Sequence, residues 1–210
     1  MKLAVSYLSS NRSVKDTIER INETKADYIH ADFMDGKYVE QKNIDLRSWF
    51  YLSLAEKPLE IHLMVKNPLK YLKYLKGLNI RIIYIHYSSY FLMDITKIKK
   101  MGYRVGLAIN PDEDLNVLSK YFQYVDKVLV MGVVPGKGGQ KFIPETIARL
   151  KEINKYKLAN NLVFSVEVDG GINAETVTKV CKYCDTVVSG SYVCQALDYN
   201  IPVNTIKKTK

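Results

Sequence analysis

The three histidines of the chain, His30, His62 and His86, all fall where short β-rich apolar runs end, and carboxylates keep them company. His30 and Asp32 stand two apart in the run Tyr28–Gly36, His62 follows Ile61, and Asp169 precedes Gly170-Gly171. A spacing of two puts His30 and Asp32 on the same face of a strand. Two imidazoles and two carboxylates converging on one point form a ligand set for a divalent transition metal, Zn²⁺, Fe²⁺, Mn²⁺ or Co²⁺. The competing reading is a rim of polar groups satisfied by one another.

Three glycine-bearing segments follow in the last part of the chain: Pro135-Gly136-Lys137-Gly138-Gly139-Gln140, Gly170-Gly171 and Gly190-Ser191. Glycines let backbone N–H groups come close to an anion, so the segments suit a phosphate; each taken alone is also compatible with a tight turn. Three on consecutive units favour a phosphorylated substrate.

The elements that must position these residues alternate from end to end. Strand candidates are Lys2–Tyr7, Tyr28–Phe33, Leu59–Met64, Arg81–His86, Arg104–Ile109, Lys127–Met131, Leu162–Val168 and Thr186–Ser189. Helical patterns occupy Val14–Glu23, Leu46–Ala55, Leu69–Lys76, Leu92–Lys100, Leu115–Tyr121, Glu145–Lys155 and Ala174–Tyr183, with a weaker one after Ser191. Eight such units in 210 residues predict a (β/α)8 TIM barrel over residues 1–210, a single domain whose chemistry sits at the C-terminal ends of the strands. In that fold the loops after strands 7 and 8 are the usual phosphate cradle, and Ser6 ends strand 1. A doubly wound open sheet is the competitor, but no G-x-G-x-x-G follows the first strand, so a dinucleotide site has no support.

Composition narrows the partners. With 47% hydrophobic and 25% charged residues the chain is neither disordered nor a disulfide-stapled miniprotein. It contains no apolar run of membrane-spanning length and no signal-peptide pattern, so a soluble, cytoplasmic protein with no membrane partner is expected. The net charge of +9 comes from scattered Lys and Arg, the one dense cluster being Lys207-Lys208-Thr209-Lys210. Without a zinc-finger, RNP or basic-zipper pattern this excess reads as a solvated surface or a diffuse field for small anions, not as a nucleic-acid footprint. Cys181 and Cys184 have C-x-x-C spacing, but no second pair or nearby His completes a zinc site, and reduced thiols in a helical pattern are expected.

At these residues the sequence resembles the ribulose-phosphate 3-epimerase family along nearly its whole length. Val5-Ser6-Tyr7-Leu8-Ser9 is similar to the family's P-S-I-L-S, and His30 to Gly36 matches H-x-D-x-M-D-G. Ile61-His62-Leu63-Met64-Val65 matches x-H-L-M-V, Pro135 to Pro144 resembles P-G-F-G-G-Q-x-F-I-P, and Val166 to Ile172 matches I-E-V-D-G-G-I. The resemblance implies that His30, Asp32, His62 and Asp169 bind one divalent metal ion and that Asp32 and Asp169 double as the acid/base pair. It further implies that Ser6 bonds the substrate near the reacting centre, that Met34, Met64 and Met131 pack against the intermediate, and that Gly139, Gly171, Gly190 and Ser191 hold its phosphate.

The implied reaction inverts C3 of a ketose phosphate, D-ribulose 5-phosphate to D-xylulose 5-phosphate, through an enediolate. Allulose 6-phosphate is the alternative substrate by the same chemistry, and a barrel that binds a phosphosugar without turnover is the non-enzymatic one. A homo-oligomer is compatible with either. The chain departs from the family in the loops: Lys37-Tyr38-Val39-Glu40-Gln41 stands for H-F-V-P-N, and Met131-Gly132-Val133-Val134-Pro135-Gly136-Lys137 for M-T-V-x-P-G-F. Ser88 replaces an acidic residue after His86, whose own role the motifs leave open.

Overall fold

A computed structural model describes residues 1–88 and 90–209. Eight parallel strands close into a barrel in chain order: β1 (Lys2–Ser6), β2 (Tyr28–Met34), β3 (Leu59–Met64), β4 (Ile80–His86), β5 (Val105–Ile109), β6 (Lys127–Met131), β7 (Ser165–Asp169) and β8 (Thr186–Ser189). Pairing of β8 back onto β1, from Lys2 against Thr186 to Val5 against Ser189, excludes the open sheet. The outer layer contains α1 (Val14–Asn22), α2 (Leu46–Tyr51), α3 (Phe91–Lys100), α4 (Leu115–Leu118), α5 (Thr146–Ala159), α6 (Thr176–Val180), α7 (Ser191–Cys194) and α8 (Asn200–Lys208).

Local chemistry explains where the elements differ from the pattern. The expected helix Leu69–Lys76 is a 3₁₀ segment, Pro68–Leu75, opened by the Asn67 side chain, which accepts from the Lys70 N–H. Leu69, Leu72 and Leu75 are spaced by three throughout, which suits three residues per turn, and Leu72 and Leu75 are buried. Strand β7 starts at Ser165 rather than Leu162. Helix α5 runs on to Ala159, Asn161 then takes a left-handed φ of 51°, and Val163 points into solvent. The expected helix Ala174–Tyr183 contracts to α6, where the Asn173 carboxamide accepts from the N–H groups of Glu175 and Thr176.

The apolar core has two layers. The larger fills the space between barrel and helices; the smaller lies inside the barrel and includes Ala4, Ile82, Tyr84, Ala108, Leu129, Met131 and Val188. Gly106 is required there, since a Cβ would run into the Tyr84 ring. Part of the C-terminal basic cluster has an internal use: Lys207 Nζ lies 2.6 Å from Asp27 Oδ2, fastening α8 to the turn before β2. Lys210 lies outside the described residues. Among the described residues no helix is long and apolar enough to cross a membrane.

Candidate metal centre and active site

Strand register brings the four expected ligands together. Asp32 pairs with His62 across β2 and β3, Ser6 with His30 across β1 and β2, and Met131 with Asp169 across β6 and β7. His62 Nδ1 is 2.8 Å from Asp32 Oδ1, and His30 Nε2 is 3.4 Å from that same oxygen. Asp169 Oδ2 lies 3.8 Å from both His30 Nε2 and His62 Nδ1. Both rings are fully buried, and the side chains of Asp32 and Asp169 are only 5% and 13% exposed. The donor set suits a divalent ion: four nitrogen and oxygen ligand atoms lie within 4.8 Å of one another.

The alternative of mutually satisfied rim groups fails at His30. Neither of its ring nitrogens has a hydrogen-bond partner, although the ring is fully buried. Buried polar atoms left unpaired in this way are costly, and a cation among them removes the cost. Without one, charge gathers on the His30 ring. Burial works against a charged His30, yet Asp32 and then Glu60 and Asp169 outweigh it and hold its pKa well above the usual value.

The two carboxylates are pushed apart. Burial favours the protonated form of Asp32, but His30 and His62 overcome it and keep the group ionised far into acid. Asp169 is pushed up to about 6 by burial and then by the charge of Asp32. Asp32 is thus a carboxylate at neutral pH, whereas Asp169 exchanges a proton near neutrality.

Ser6 Oγ donates to Asp32 Oδ2 at 2.7 Å. It lines the cavity at the barrel mouth together with Asp32, Met64, Met131, Asp169, Gly139, Gly171, Gly190 and Ser191. Met34 does not line it; it is buried beside Met64, with which it pairs in register. Gly139 and Gly171 take φ values of +73° and +68°. A Cβ on Gly171 would lie 2.5 Å from the Phe142 nitrogen, so the 136–142 segment packs directly on that glycine. The departing residue Tyr38 lies against His86, ring centroids 4.6 Å apart, and accepts from the Asn110 carboxamide at 2.8 Å.

Sequence reasoning left His86 unassigned and missed Glu60, Tyr84, Lys127 and Glu167. His86 Nε2 stands 2.9 Å from His62 Nε2. Burial, then the neighbouring His62, holds the His86 pKa well below its ordinary value, so it meets His62 as a neutral ring. Glu60 and Glu167 lie two residues before His62 and Asp169, on the same strand faces, and are fully buried with Lys127 between them. The signal was available in that period of two; a lysine within the apolar run of β6 carried none. Burial and then the Glu60 charge push the Glu167 carboxyl up, while His30 and Lys127 hold Glu60 down against its own burial. Cys181 and Cys184 are half-buried cysteines beyond the end of α6.

Comparison with known proteins agrees with this geometry. The profile described as the ribulose-phosphate 3 epimerase family matches residues 2–194. Proteins named ribulose-phosphate 3-epimerase are similar along nearly their whole length. That of Bacillus subtilis is 31% identical with all of both chains covered, and that of Synechocystis is 30% identical, with 99% of this chain and 94% of that protein covered. That of Buchnera aphidicola from Schizaphis graminum is 33% identical, covering 98% of this chain and 93% of its own length. Among solved structures, 3-hexulose-6-phosphate synthase from Salmonella typhimurium superposes with a TM-score of 0.70 at 15% identity, covering 100% of this chain and 98% of that one. Phosphoribosyl anthranilate isomerase from Thermococcus kodakaraensis gives 0.69 at 14% identity, covering 99% and 97%. At such identities the superpositions speak for the barrel alone. The profile match and the full-length relatives together place this chain in the ribulose-phosphate 3-epimerase family, as an isomerase of the epimerase type.

Proposed function

We propose that the protein inverts C3 of D-ribulose 5-phosphate to give D-xylulose 5-phosphate, with His30, Asp32, His62 and Asp169 holding one Zn²⁺, Fe²⁺, Mn²⁺ or Co²⁺ ion. The observation that carries this reading is geometric: Asp32 and Asp169 line one cavity and cluster there with the buried rings of His30 and His62. Inverting a carbon beside a ketone requires one group to take the C3 proton from one face and a second to return a proton to the other. Asp32, ionised, is the base for one epimer; Asp169, carrying a proton, supplies it from the opposite face, and the pair exchange states with each turnover. The metal, when bound, supplies positive charge against the two enediolate oxygens.

The chain's own residues do the rest. The Ser6 hydroxyl orients Asp32 and is within reach of a substrate oxygen in the same cavity. Met64 and Met131 keep the reacting centre apolar and offer no competing proton donor. Met34 is the register partner of Met64 on the neighbouring strand. The amides at Gly139, Gly171, Gly190 and Ser191 line the side of the cavity where a phosphate would be received. The protein then acts in the cytoplasm on a small phosphorylated sugar, with neither nucleic acid nor membrane as partner. Steady-state kinetics on protein of defined metal content test this, with D-ribulose 5-phosphate and allulose 6-phosphate as rival substrates. A higher kcat/KM for the pentulose is expected; a preference for the hexulose would reassign the substrate, and no turnover of either would leave a binding protein.

A further inference from the structure

Beneath the four clustered ligands, one layer further into the barrel, lies a second group of charges. Lys127 Nζ donates to Glu60 Oε1 at 3.0 Å and to Thr186 Oγ1 at 3.2 Å, and also contacts Glu167 Oε2. That last oxygen also accepts from the Tyr84 hydroxyl at 2.7 Å. Each carboxylate therefore has one oxygen engaged. The other two, Glu60 Oε2 and Glu167 Oε1, are buried without a hydrogen-bond partner, and so is His30 Nδ1. These three unpartnered atoms face one another, at 3.5 Å from Nδ1 to Glu60 and 3.8 Å to Glu167.

His30, Glu60 and Glu167 would themselves form a metal-ligand grouping, their ligand atoms lying within 4.8 Å of one another. The Lys127 ammonium already bonds both carboxylates, so positive charge is built into that layer by the chain. What the layer lacks is a donor for the two free oxygens, and the Nδ1–H of His30 is the group that faces them. A neutral imidazole has one N–H; if Nδ1 keeps it, Nε2 presents its lone pair toward Asp32 and Asp169.

Resting on the metal-site reading above, we infer that Glu60 and Glu167, both held by the Lys127 ammonium, are positioning residues that hold the Nδ1 proton of His30 and so aim its Nε2 at the metal. Carboxylates behind a metal-bound histidine fix its tautomer and strengthen its donation. The two histidine ligands are then oppositely wired. His30 uses Nε2 and keeps its proton on Nδ1, whereas His62 uses Nδ1 and keeps its proton on Nε2, the atom that meets His86.

The test uses the full chain, stripped of metal and reloaded with Co²⁺, with affinity read by chelator competition and ligand field by visible absorption. Wild type should take up one ion. Glu60→Gln keeps the side-chain shape but removes the charged acceptor, and should bind Co²⁺ about tenfold more weakly with an altered absorption spectrum. A role confined to stability would lower the melting temperature while leaving affinity and spectrum unchanged, and that result overturns the inference. Imidazole ¹⁵N NMR of zinc-loaded wild type gives an answer that does not depend on the variant folding. It should show one histidine ligand protonated at Nδ1 and the other at Nε2; protonation of His30 at Nε2 also overturns the inference. Failure of wild type to bind any metal would instead sink the reading of the four-ligand site, and this inference with it.

Discussion

His62 Nε2 and His86 Nε2 lie 2.9 Å apart, and two such nitrogens form a hydrogen bond only when one of them carries the proton. With His86 neutral, His62 can donate through Nε2 and leave Nδ1 open beside Asp32, 2.8 Å away. His62→Ala should therefore lower bound metal and turnover together. His86→Phe, which removes only the acceptor behind His62, should weaken metal affinity by about tenfold. Elemental analysis with parallel assays checks both; full metal occupancy and wild-type turnover in His62→Ala would refute the ligand assignment.

The two carboxylates separate epimerisation from any one-base reaction. In D₂O, wild type should introduce deuterium at C3 while forming the opposite epimer. Asp32→Asn and Asp169→Asn should each lose inversion, because an amide is neither acid nor base at this pH. Residual exchange should survive with only one epimer, and with opposite epimers for the two variants. Normal inversion by Asp169→Asn protein that retains its metal would rule out the two-base scheme.

The raised pKa of Asp169 sets a sign for stability in the metal-free protein. Between its ordinary value of 3.8 and about 6, the folded state keeps a proton that the unfolded chain has released. Stability contributed by this group therefore falls as pH rises through that window. Metal-free Asp169→Asn lacks this loss and should be more stable than wild type near pH 8 by roughly 1–3 kcal/mol, the gap closing below about pH 4. Urea denaturation across pH measures it, and a less stable variant near pH 8 would contradict the arrangement.

Gly171 and Gly139 both take left-handed φ values but differ in surroundings. A Cβ at Gly171 would meet the Phe142 backbone at 2.5 and 2.6 Å, whereas nothing lies within 4 Å of one at Gly139. Gly171→Ala should cost about 1–2 kcal/mol in backbone strain and in addition displace the 136–142 segment, raising KM for the phosphorylated substrate. Gly139→Ala should show the backbone cost without the displacement. Equal melting temperatures and equal KM values for the two variants would show that the contact at Gly171 is unimportant.

Burial, followed by the charge of Asp185, pushes the Cys184 thiol up to about 12. A thiol so reluctant to ionise is a poor nucleophile for disulfide exchange. Replacing Cys181 and Cys184 with Ala should leave turnover within a few-fold of wild type, and a loss of several orders of magnitude in a folded variant would restore a redox role.

The spacing of residues along the chain was enough to place His30 and Asp32 on one strand face and Asp169 at a strand end, with His62 two residues short of the end of β3, because alternation along a strand is a local property. It also carried the eight-fold alternation of elements, and β3, β6 and β8 run over the residues expected. The same alternation places Glu60 with His62 and Glu167 with Asp169, yet nothing local says that these glutamates share Lys127, a residue 67 positions from one and 40 from the other. Such meetings depend on the stagger of strands around the closed barrel, which selects the residues from different strands that occupy one layer. The contact of His62 with His86, across β3 and β4, is of the same kind. Met34, which its motif position suggested for the substrate pocket, is buried as the register partner of Met64 and is not among the residues lining the cavity at the barrel mouth. Residue type and period determined which side chains face inward; only closure of the barrel decided which of them touch, because contact across strands is set by the register of pairing and not by distance along the chain.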